Sequence, residues 1–486
     1  MCVKLEYLEK NNVEHGKNMK SIKTVTGLEL TFGFAEDSDE ENLSFALRDT
    51  LDRTYRQDEE DPDGHVEDGS GQLSEEPPVP SLEIASAQIT SWEAGWNVTN
   101  AIQGIFVLGL PYALLNSGYL GFLLIILAAM ICCYTGNILI ACLYEEDEEG
   151  RPVRVRNTYE DIANACCKHS FPRLGGRLVN VAQVVELMMT CILYLVVSGN
   201  LMYHSFPSLP LSQASWSVIA FFILLPCLLI KNLRIVSKLS LLCSLAQFII
   251  TFIVIGYCLT HITQMSWRSV TFYGNYEKFL ESVGVIIFSY TSQIFLPTLE
   301  GKMVHREKFV NMMTWTHLIA CIFKTAFAVL GFLTWGEETK EVITDNLPSA
   351  LRTVVNVCLL VKALLSYPLP FYAATEILQT CICALDLEHS RKQTYSLVMR
   401  GSLLLVTFLV SMYIPHFSLL MGLTGSMTGA AMSFLLPALF HLKLKWRNLT
   451  CKDKVLDLSI VALGTLCSLS GLICSVTALI EAFGKR

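Results

Sequence analysis

The sequence predicts an all-α integral membrane protein with about eleven transmembrane helices. Of its 486 residues, 52% are hydrophobic and 16% are charged, whereas roughly 25% of an average soluble domain is charged. The charges are also segregated along the chain. The first 90 residues hold 21 acidic and 8 basic side chains, a net charge of −13. Since the whole chain has a net charge of −8, the remaining residues carry +5. This composition places an acidic tail before an apolar body and gives no electrostatic support to nucleic-acid binding.

Residues 1–90 are predicted to be a disordered cytosolic tail. Acidic clusters and a Pro77-Pro78 pair interrupt the few apolar residues, which are too sparse to bury a core. No apolar run follows Met1, so we expect no cleaved signal peptide. The tail is either a solvated spacer or a sorting segment that trafficking adaptors bind.

Residues 91–482 are predicted to form the transmembrane domain, followed by a short C-terminus over 483–486. Eleven apolar runs approach the length needed to cross about 30 Å of hydrocarbon, although the fourth is short. These runs are 93–117, 118–142, 176–203, 216–230, 239–263, 280–302, 312–336, 350–380, 397–413, 417–440 and 457–481.

The orientation follows from the basic residues between the spans. Alternate loops divide them into twenty on the side of the acidic tail and six on the other. Lys and Arg are enriched in cytoplasmic loops, so the N-terminus is predicted to be cytosolic. An odd number of spans then places the C-terminus on the opposite, lumenal face.

Two spans carry helix-breaking residues at mid-membrane depth. Span one holds Gly104, Gly109 and Pro111, and span six has the polar run 289–293 followed by Pro297. Spans one and six occupy equivalent positions in two five-helix halves, and paired interruptions of this kind indicate a transporter binding site. A helix N-terminus can bind a carboxylate and freed carbonyls can bind an ammonium, which suits a zwitterionic amino acid. The alternative is an ordinary proline kink in each helix.

A polar stripe on span three contains an acidic residue at membrane depth. Residues at steps of three or four share one helical face, which here consists of Asn180, Gln183, Glu186, Thr190 and Tyr194. An intramembrane carboxyl group marks either a proton-exchange site or a structural ion pair. Glu186 is therefore a candidate proton carrier or a permanent partner of Lys324 or Lys362, the two lysines within spans seven and eight.

Lys362 suggests a further hypothesis about ion coupling. A fixed ammonium against span one would occupy the place that sodium takes in some transporters, and sodium would then be unnecessary.

Asp345, in the polar loop after span seven, is expected to cap the following helix or to gate the site, with capping favoured. We expect no metal site or cofactor, because the cysteines lack the spacing and histidine partners of such sites.

Several long motifs resemble the amino acid/auxin permease family, and within it the members that load GABA and glycine into synaptic vesicles. The resemblance covers residues 91–482 and rests on four segments: Trp92–Gly104, Phe288–Pro297, Thr339–Pro348 and Met421–Ser426. It implies a five-plus-five inverted-repeat, LeuT-like core with broken helices 1 and 6, followed by an eleventh helix. It also implies a multi-pass protein of the synaptic vesicle membrane that accumulates these amino acids by exchange against protons, with chloride involvement left open.

The resemblance places the substrate beside both interruptions. The implied binding residues are Gly104, Ile105, Phe106, Val107, Leu108, Ser289, Tyr290, Thr291, Ser292 and Gln293. Many relatives carry a Gly-x-Gly pair at the first interruption, whereas this chain has Phe106 in the position of the second glycine. We therefore expect Phe106 to narrow or reshape the pocket.

Two other functions share this fold class. One is a sodium-coupled or proton-coupled neutral amino acid symporter at the plasma or lysosomal membrane, and the other is an amino acid sensor that signals through its tail. We do not expect an enzyme, because no group of a nucleophile, a base and an orienting residue is evident, nor is a phosphate-binding Gly-x4-Gly-Lys-Ser/Thr loop.

Overall fold

The computed structural model describes residues 89–168, 173–226, 233–265, 276–383, 389–414 and 416–484. The predictions for the tail over 1–88 and for the final residues 485–486 lie outside this part of the chain.

The described chain is helical apart from one short hairpin. Its strands are β1 (Tyr144–Glu146) and β2 (Pro152–Arg154). Its α-helices are α1 (Ser91–Ile102), α2 (Leu110–Ala141), α3 (Tyr159–Cys167), α4 (Leu174–Ser205), α5 (Gln213–Leu224), α6 (Leu233–Thr260), α7 (Tyr276–Ser289), α8 (Leu296–Gly301), α9 (Phe309–Trp335), α10 (Ser349–Ser366), α11 (Pro368–Cys383), α12 (His389–Tyr413), α13 (Phe417–Thr424), α14 (Leu436–Lys445) and α15 (Cys451–Gly484).

Within the described residues, nine helical segments are long and apolar enough to cross a membrane. One of them, Ser91–Ala141, has 51 residues and would span about 75 Å as a continuous α-helix, more than twice the hydrocarbon thickness. Gly118 interrupts it with a φ of 61°, near the predicted boundary between spans one and two. A shorter apolar helix covers Gln213–Leu224, where span four was predicted over 216–230. The total of eleven spans stays a prediction.

The helices differ in how far they are enclosed by the rest of the protein. Two thirds of the apolar window is buried in the segments Leu174–Ser205, Tyr276–Gly301 and Phe417–Lys445, but only 22% in Thr394–Tyr413 and Cys451–Gly484. The first three are therefore central, and the last two form the periphery that faces lipid.

Glycine allows the two central helices α7 and α13 to pack closely. A Cβ added to Gly425 would lie 2.6 Å from the Gly284 carbonyl carbon and 3.0 Å from the Phe288 Cβ. Either atom would have to move, so residue 425 must lack a side chain. Beyond Gly425 the backbone takes π-helical hydrogen bonding over Gly425–Gly429 and Ala431–Leu435, a geometry that is frequent at functional sites.

The hairpin between α2 and α3 contacts the second half of span six. β1 and β2 pair antiparallel, with Tyr144 opposite Arg154. Arg154 donates a 3.0 Å hydrogen bond to the carbonyl oxygen of Pro297 and lies 3.5 Å from the carboxylate of Glu300. The hydroxyl group of Tyr144 donates to the same carboxylate. Because Glu300 is only 1% exposed, these contacts supply partners for a buried charge.

Candidate functional site

The first half of the site is a break in helical structure at Gly104. Helix α1 begins with a capping box formed by Thr90 and Glu93 and ends at Ile102. Gly104 is extended, with φ −64° and ψ 178°, before a 3-10 turn over Ile105–Gly109. The first N–H groups of a helical turn have no partner within that turn, so this segment presents donors at membrane depth.

The second half is the segment between α7 and α8. Helix α7 ends at Ser289, and α8 begins at Leu296 with Pro297 in its first turn. Ser292 has φ −147° and ψ −7°, which is not helical. Its N–H donates to the side-chain oxygen of Gln293 at 3.0 Å, so a side chain replaces the missing helical acceptor.

A buried lysine donates to a carbonyl oxygen at each of these two points. The ammonium of Lys362, on α10, donates to the Gln103 carbonyl oxygen at 3.1 Å and to the Gln247 side-chain oxygen at 2.6 Å. The ammonium of Lys324, on α9, donates to the Ser289 carbonyl oxygen and lies 3.7 Å from the ring centroid of Tyr290. The lysines thus satisfy acceptors that helix interruption leaves without an N–H partner.

A cavity of about 50 Å³ lies between the two interruptions. Phe106, Thr291 and Ser292, three of the ten predicted binding residues, line it together with Glu186 and Ser366. The other seven are buried beside it without lining it: Gly104, Ile105, Val107, Leu108, Ser289, Tyr290 and Gln293.

Glu186 projects from α4 into this cavity and is 4% exposed. The side chains of Thr291 and Thr428 lie near its carboxyl group, but their hydroxyl groups donate to the backbone carbonyl oxygens of Phe288 and Thr424. The Oε2 atom of Glu186 makes no hydrogen bond within the described residues. Thr190 and Tyr194, which follow on the same face of α4, also line the cavity. An acidic oxygen without a fixed donor is available to a proton or to an ammonium group.

Neither buried lysine forms an ion pair with Glu186 among the residues that the structure describes. The lysines instead contact backbone carbonyls from separate helices. Within the described residues the Glu186 carboxyl group is thus paired with neither lysine, and its role as a proton carrier stays a prediction.

Phe106 limits the room within the cavity. Its ring centroid lies 4.9 Å from that of Phe288 and 5.5 Å from that of Tyr194. The three rings form an apolar wall, and each ring comes from a different helical segment. A larger ligand would require one of these rings to rotate.

Gln293 makes its hydrogen bonds outside the cavity. Its amide nitrogen lies 3.4 Å from the carbonyl oxygen of Cys132 and 3.3 Å from the hydroxyl group of Thr135, and its oxygen accepts from Ser433 at 2.7 Å. These contacts join span six to α2 and to the central segment of span ten.

Two contacts of the site were not evident from the sequence. Gln247 accepts from Lys362, and Thr428 lies near Glu186; the only sequence signal of either is a polar residue inside an apolar run. The capping role expected for Asp345 is wrong, since Pro348 is the N-cap of α10 and makes no side-chain cap bond. Asp345 instead accepts a 3.0 Å hydrogen bond from Asn200 on α4.

Comparisons with known proteins agree with this architecture. Residues 87–479 match the family model of transmembrane amino acid transporter proteins. The vesicular inhibitory amino acid transporter of Xenopus tropicalis is 54% identical over 97% of both chains, and the vesicular GABA transporter of Caenorhabditis elegans is 39% identical over 82% of both. The crystal structure of MhsT in complex with L-phenylalanine aligns with 81% of this chain and 100% of its own, at a TM-score of 0.50 and 12% identity.

The likeness to MhsT concerns the fold and confirms the predicted LeuT-like fold class. The family model extends over most of the chain, and it includes both interruptions and the cavity between them. The chain therefore belongs to the family of transmembrane amino acid transporter proteins.

Proposed function

We propose that this chain loads GABA and glycine into synaptic vesicles by exchanging them against protons. The observation that carries the proposal is the cavity in which Glu186 meets residues from both helix interruptions. The names of the relatives support the substrate class and the vesicle membrane. As a member of a transporter family, the chain is not an enzyme.

The substrate is a small zwitterion, and partners for its two ends lie in the cavity or directly beside it. The N–H groups that follow Gly104 are suited to a carboxylate, because a helical N-terminus carries a partial positive charge. The Glu186 carboxylate is suited to an ammonium. Among the ten candidate binding residues, Phe106, Thr291 and Ser292 are proposed as direct contacts because they line the cavity.

Glu186 provides a simple basis for exchange. One carboxylate oxygen can hold a proton or face a substrate ammonium, but protonation removes the charge that attracts the ammonium. In an acidic lumen the proton displaces the substrate, and at the cytosolic face loss of the proton restores the site. This competition couples substrate entry to proton exit without ATP.

The available free energy is sufficient for accumulation. A gradient of about 1.5 pH units supplies roughly 2 kcal/mol per proton, and each 100 mV adds about 2.3 kcal/mol per charge moved. One proton per zwitterion would then sustain a concentration ratio of about several hundredfold or more.

The proposal includes an orientation and further partners. The N-terminal tail is cytosolic, where it binds trafficking adaptors, and the C-terminus is lumenal. The body is embedded in lipid, and chloride is a second candidate ion whose effect on uptake is to be measured in the same assay.

Uptake of labelled GABA, glycine and alanine into proteoliposomes after a pH jump tests this function. With an acidic interior and no sodium, we expect GABA and glycine to accumulate. Glu186→Gln keeps the size of the side chain but cannot release a proton, so it should lose accumulation driven by the pH gradient. Glu338→Gln, at an exposed position, serves as the matched control. Normal accumulation by Glu186→Gln contradicts its role as proton carrier.

The same assay separates the competing functions. An acidic interior opposes uptake by a proton symporter, and a sodium requirement identifies a sodium-coupled carrier. A sensor would retain its binding but lose its signalling when the tail is deleted, whereas a transporter would retain transport. Uptake that persists after removal of residues 1–85 therefore counts against a sensor.

A further inference from the structure

A second cavity, of about 370 Å³, lies away from the substrate site, between the β1–β2 hairpin and the end of α14. Glu146 and Pro152 of the hairpin line one part of it, and His441, Lys445 and Asn448 line another. The cavity therefore lies where the membrane-spanning segment of α14 ends and the connection to α15 begins.

His441 is held in place by a buried carboxylate. The residue is 8% exposed, and its Nδ1 atom lies 2.7 Å from an oxygen of Asp457. Asp457 is fully buried and accepts a second hydrogen bond, at 2.8 Å, from the hydroxyl group of Tyr134. The Nε2 atom of His441 makes no hydrogen bond within the described chain. A ring so fixed leaves one polar atom for a ligand in the cavity.

The charges around this cavity have both signs. Residues 443–454 contain five basic side chains and one acidic one, and none of the five forms an ion pair within the described residues. Lys445, one of the five, donates to the Tyr144 carbonyl oxygen at 2.8 Å. On the hairpin, Glu145 pairs with Arg156, whereas Glu146 is exposed and has no such partner in the described chain.

The segment that follows Lys445 is typical of a membrane boundary. Val455 and Leu458, at the start of α15, are 64% and 52% exposed. Trp446 is 52% exposed, and the ammonium of Lys454 lies 4.6 Å from its ring centroid. Tryptophan and basic residues are enriched at the headgroup level of a bilayer, and basic clusters next to a transmembrane helix attract anionic lipids.

We propose that this cavity binds the headgroup of an anionic aminophospholipid in the cytosolic leaflet, with phosphatidylserine as the probe. Lys445 receives the phosphate, Glu146 and the Nε2 lone pair of His441 receive the ammonium, and the acyl chains lie along Val455 and Leu458. The proposal depends on the orientation given under the proposed function, but not on the substrate or on proton exchange.

Such a lipid would act on the transport cycle through the hairpin. β1 contributes Glu146 to the cavity, and β2 contributes Arg154 to the contact with Glu300 and Pro297 on α8. A headgroup held between α14 and β1 therefore favours the state in which β2 is docked on span six.

The test measures lipid binding to the purified full-length protein, by native mass spectrometry and by thermal stabilisation. Phosphatidylserine is compared with phosphatidylglycerol, which has the same net charge but no ammonium, and with phosphatidylcholine. Glu146→Gln should weaken binding of phosphatidylserine about tenfold, the effect of losing one charge-assisted hydrogen bond, and leave phosphatidylglycerol unchanged. Lys445→Gln should weaken binding of both anionic lipids. Glu148→Gln, in the hairpin turn but outside the cavity, is the control.

Three results would overturn the proposal. The first is equal affinity of the wild-type protein for phosphatidylserine and phosphatidylglycerol, which indicates general charge attraction only. The second is an unchanged preference in Glu146→Gln. The third is full stabilisation by soluble phosphoserine, which identifies a free phosphorylated metabolite as the occupant. Because binding is measured without transport, none of these results bears on the exchange function.

Discussion

Removal of the Lys362 ammonium is expected to make transport depend on sodium. The side chain is 2% exposed and donates to two buried acceptors, the carbonyl oxygen of Gln103 and the side-chain oxygen of Gln247. Its ammonium thus lies against the first interruption. Lys362→Ala and Lys362→Thr remove that group and leave space that a small cation can enter.

The size of the effect follows from the two lost hydrogen bonds. Gln103 and Gln247 are 2% and 1% exposed, so water does not readily replace the ammonium. A buried acceptor left unsatisfied costs about 1–3 kcal/mol, and two cost about 2–6 kcal/mol. Even the lower value reduces the population of the intact site about 30-fold. A bound cation would restore much of this free energy.

The assay is uptake of labelled GABA at a fixed pH gradient across a sodium series, with choline replacing sodium to keep ionic strength constant. Wild-type uptake should not change along the series. Both variants should be weak without sodium and should recover as sodium rises. Lys308→Ala, at an exposed position, is the matched control. If neither variant gains sodium dependence, the ammonium does not take the place of sodium and the hypothesis fails.

Two further predictions concern stability and are checked by thermal unfolding of the purified protein. Arg154→Ala leaves the buried Glu300 carboxylate without its cation and should lower the free energy of unfolding by about 3–5 kcal/mol. The control Arg151→Ala, at a side chain 70% exposed, should change this free energy little. Equal melting temperatures of the two variants would contradict the prediction. Burial raises the pKa of Asp345, although nearby His204 opposes the shift. The native state therefore binds the proton more tightly than the unfolded chain does. As a result, the free energy of unfolding falls as pH rises through the native pKa. Asp345→Asn should reduce this dependence above about pH 4, and an unchanged pH profile would refute the assignment.

Much of the fold could be predicted from local sequence properties. A hydrophobic run long enough to cross a bilayer indicates a membrane helix wherever it lies in the chain. Glycine and proline weaken a helix through their own backbone chemistry. The observed helix end at Ile102 lies two residues before Gly104, and the end at Ser289 lies at the start of the polar run 289–293. The face of α4 that carries Glu186, Thr190 and Tyr194 follows from helical periodicity alone. These properties depend on neighbours within a few positions.

The partners of the buried charged groups were decided by the tertiary structure. Lys362 reaches the carbonyl oxygen of Gln103 across 259 positions of sequence, and a single sequence contains no signal for that contact. The same applies to the bonds that draw Gln293 toward α2 and to Asp345, which contacts Asn200 instead of capping α10. A buried polar group must find a partner, but packing determines which one. The sequence by itself thus determined a membrane transporter with weak points in two helices, and only the folded arrangement decided which charges hold those points.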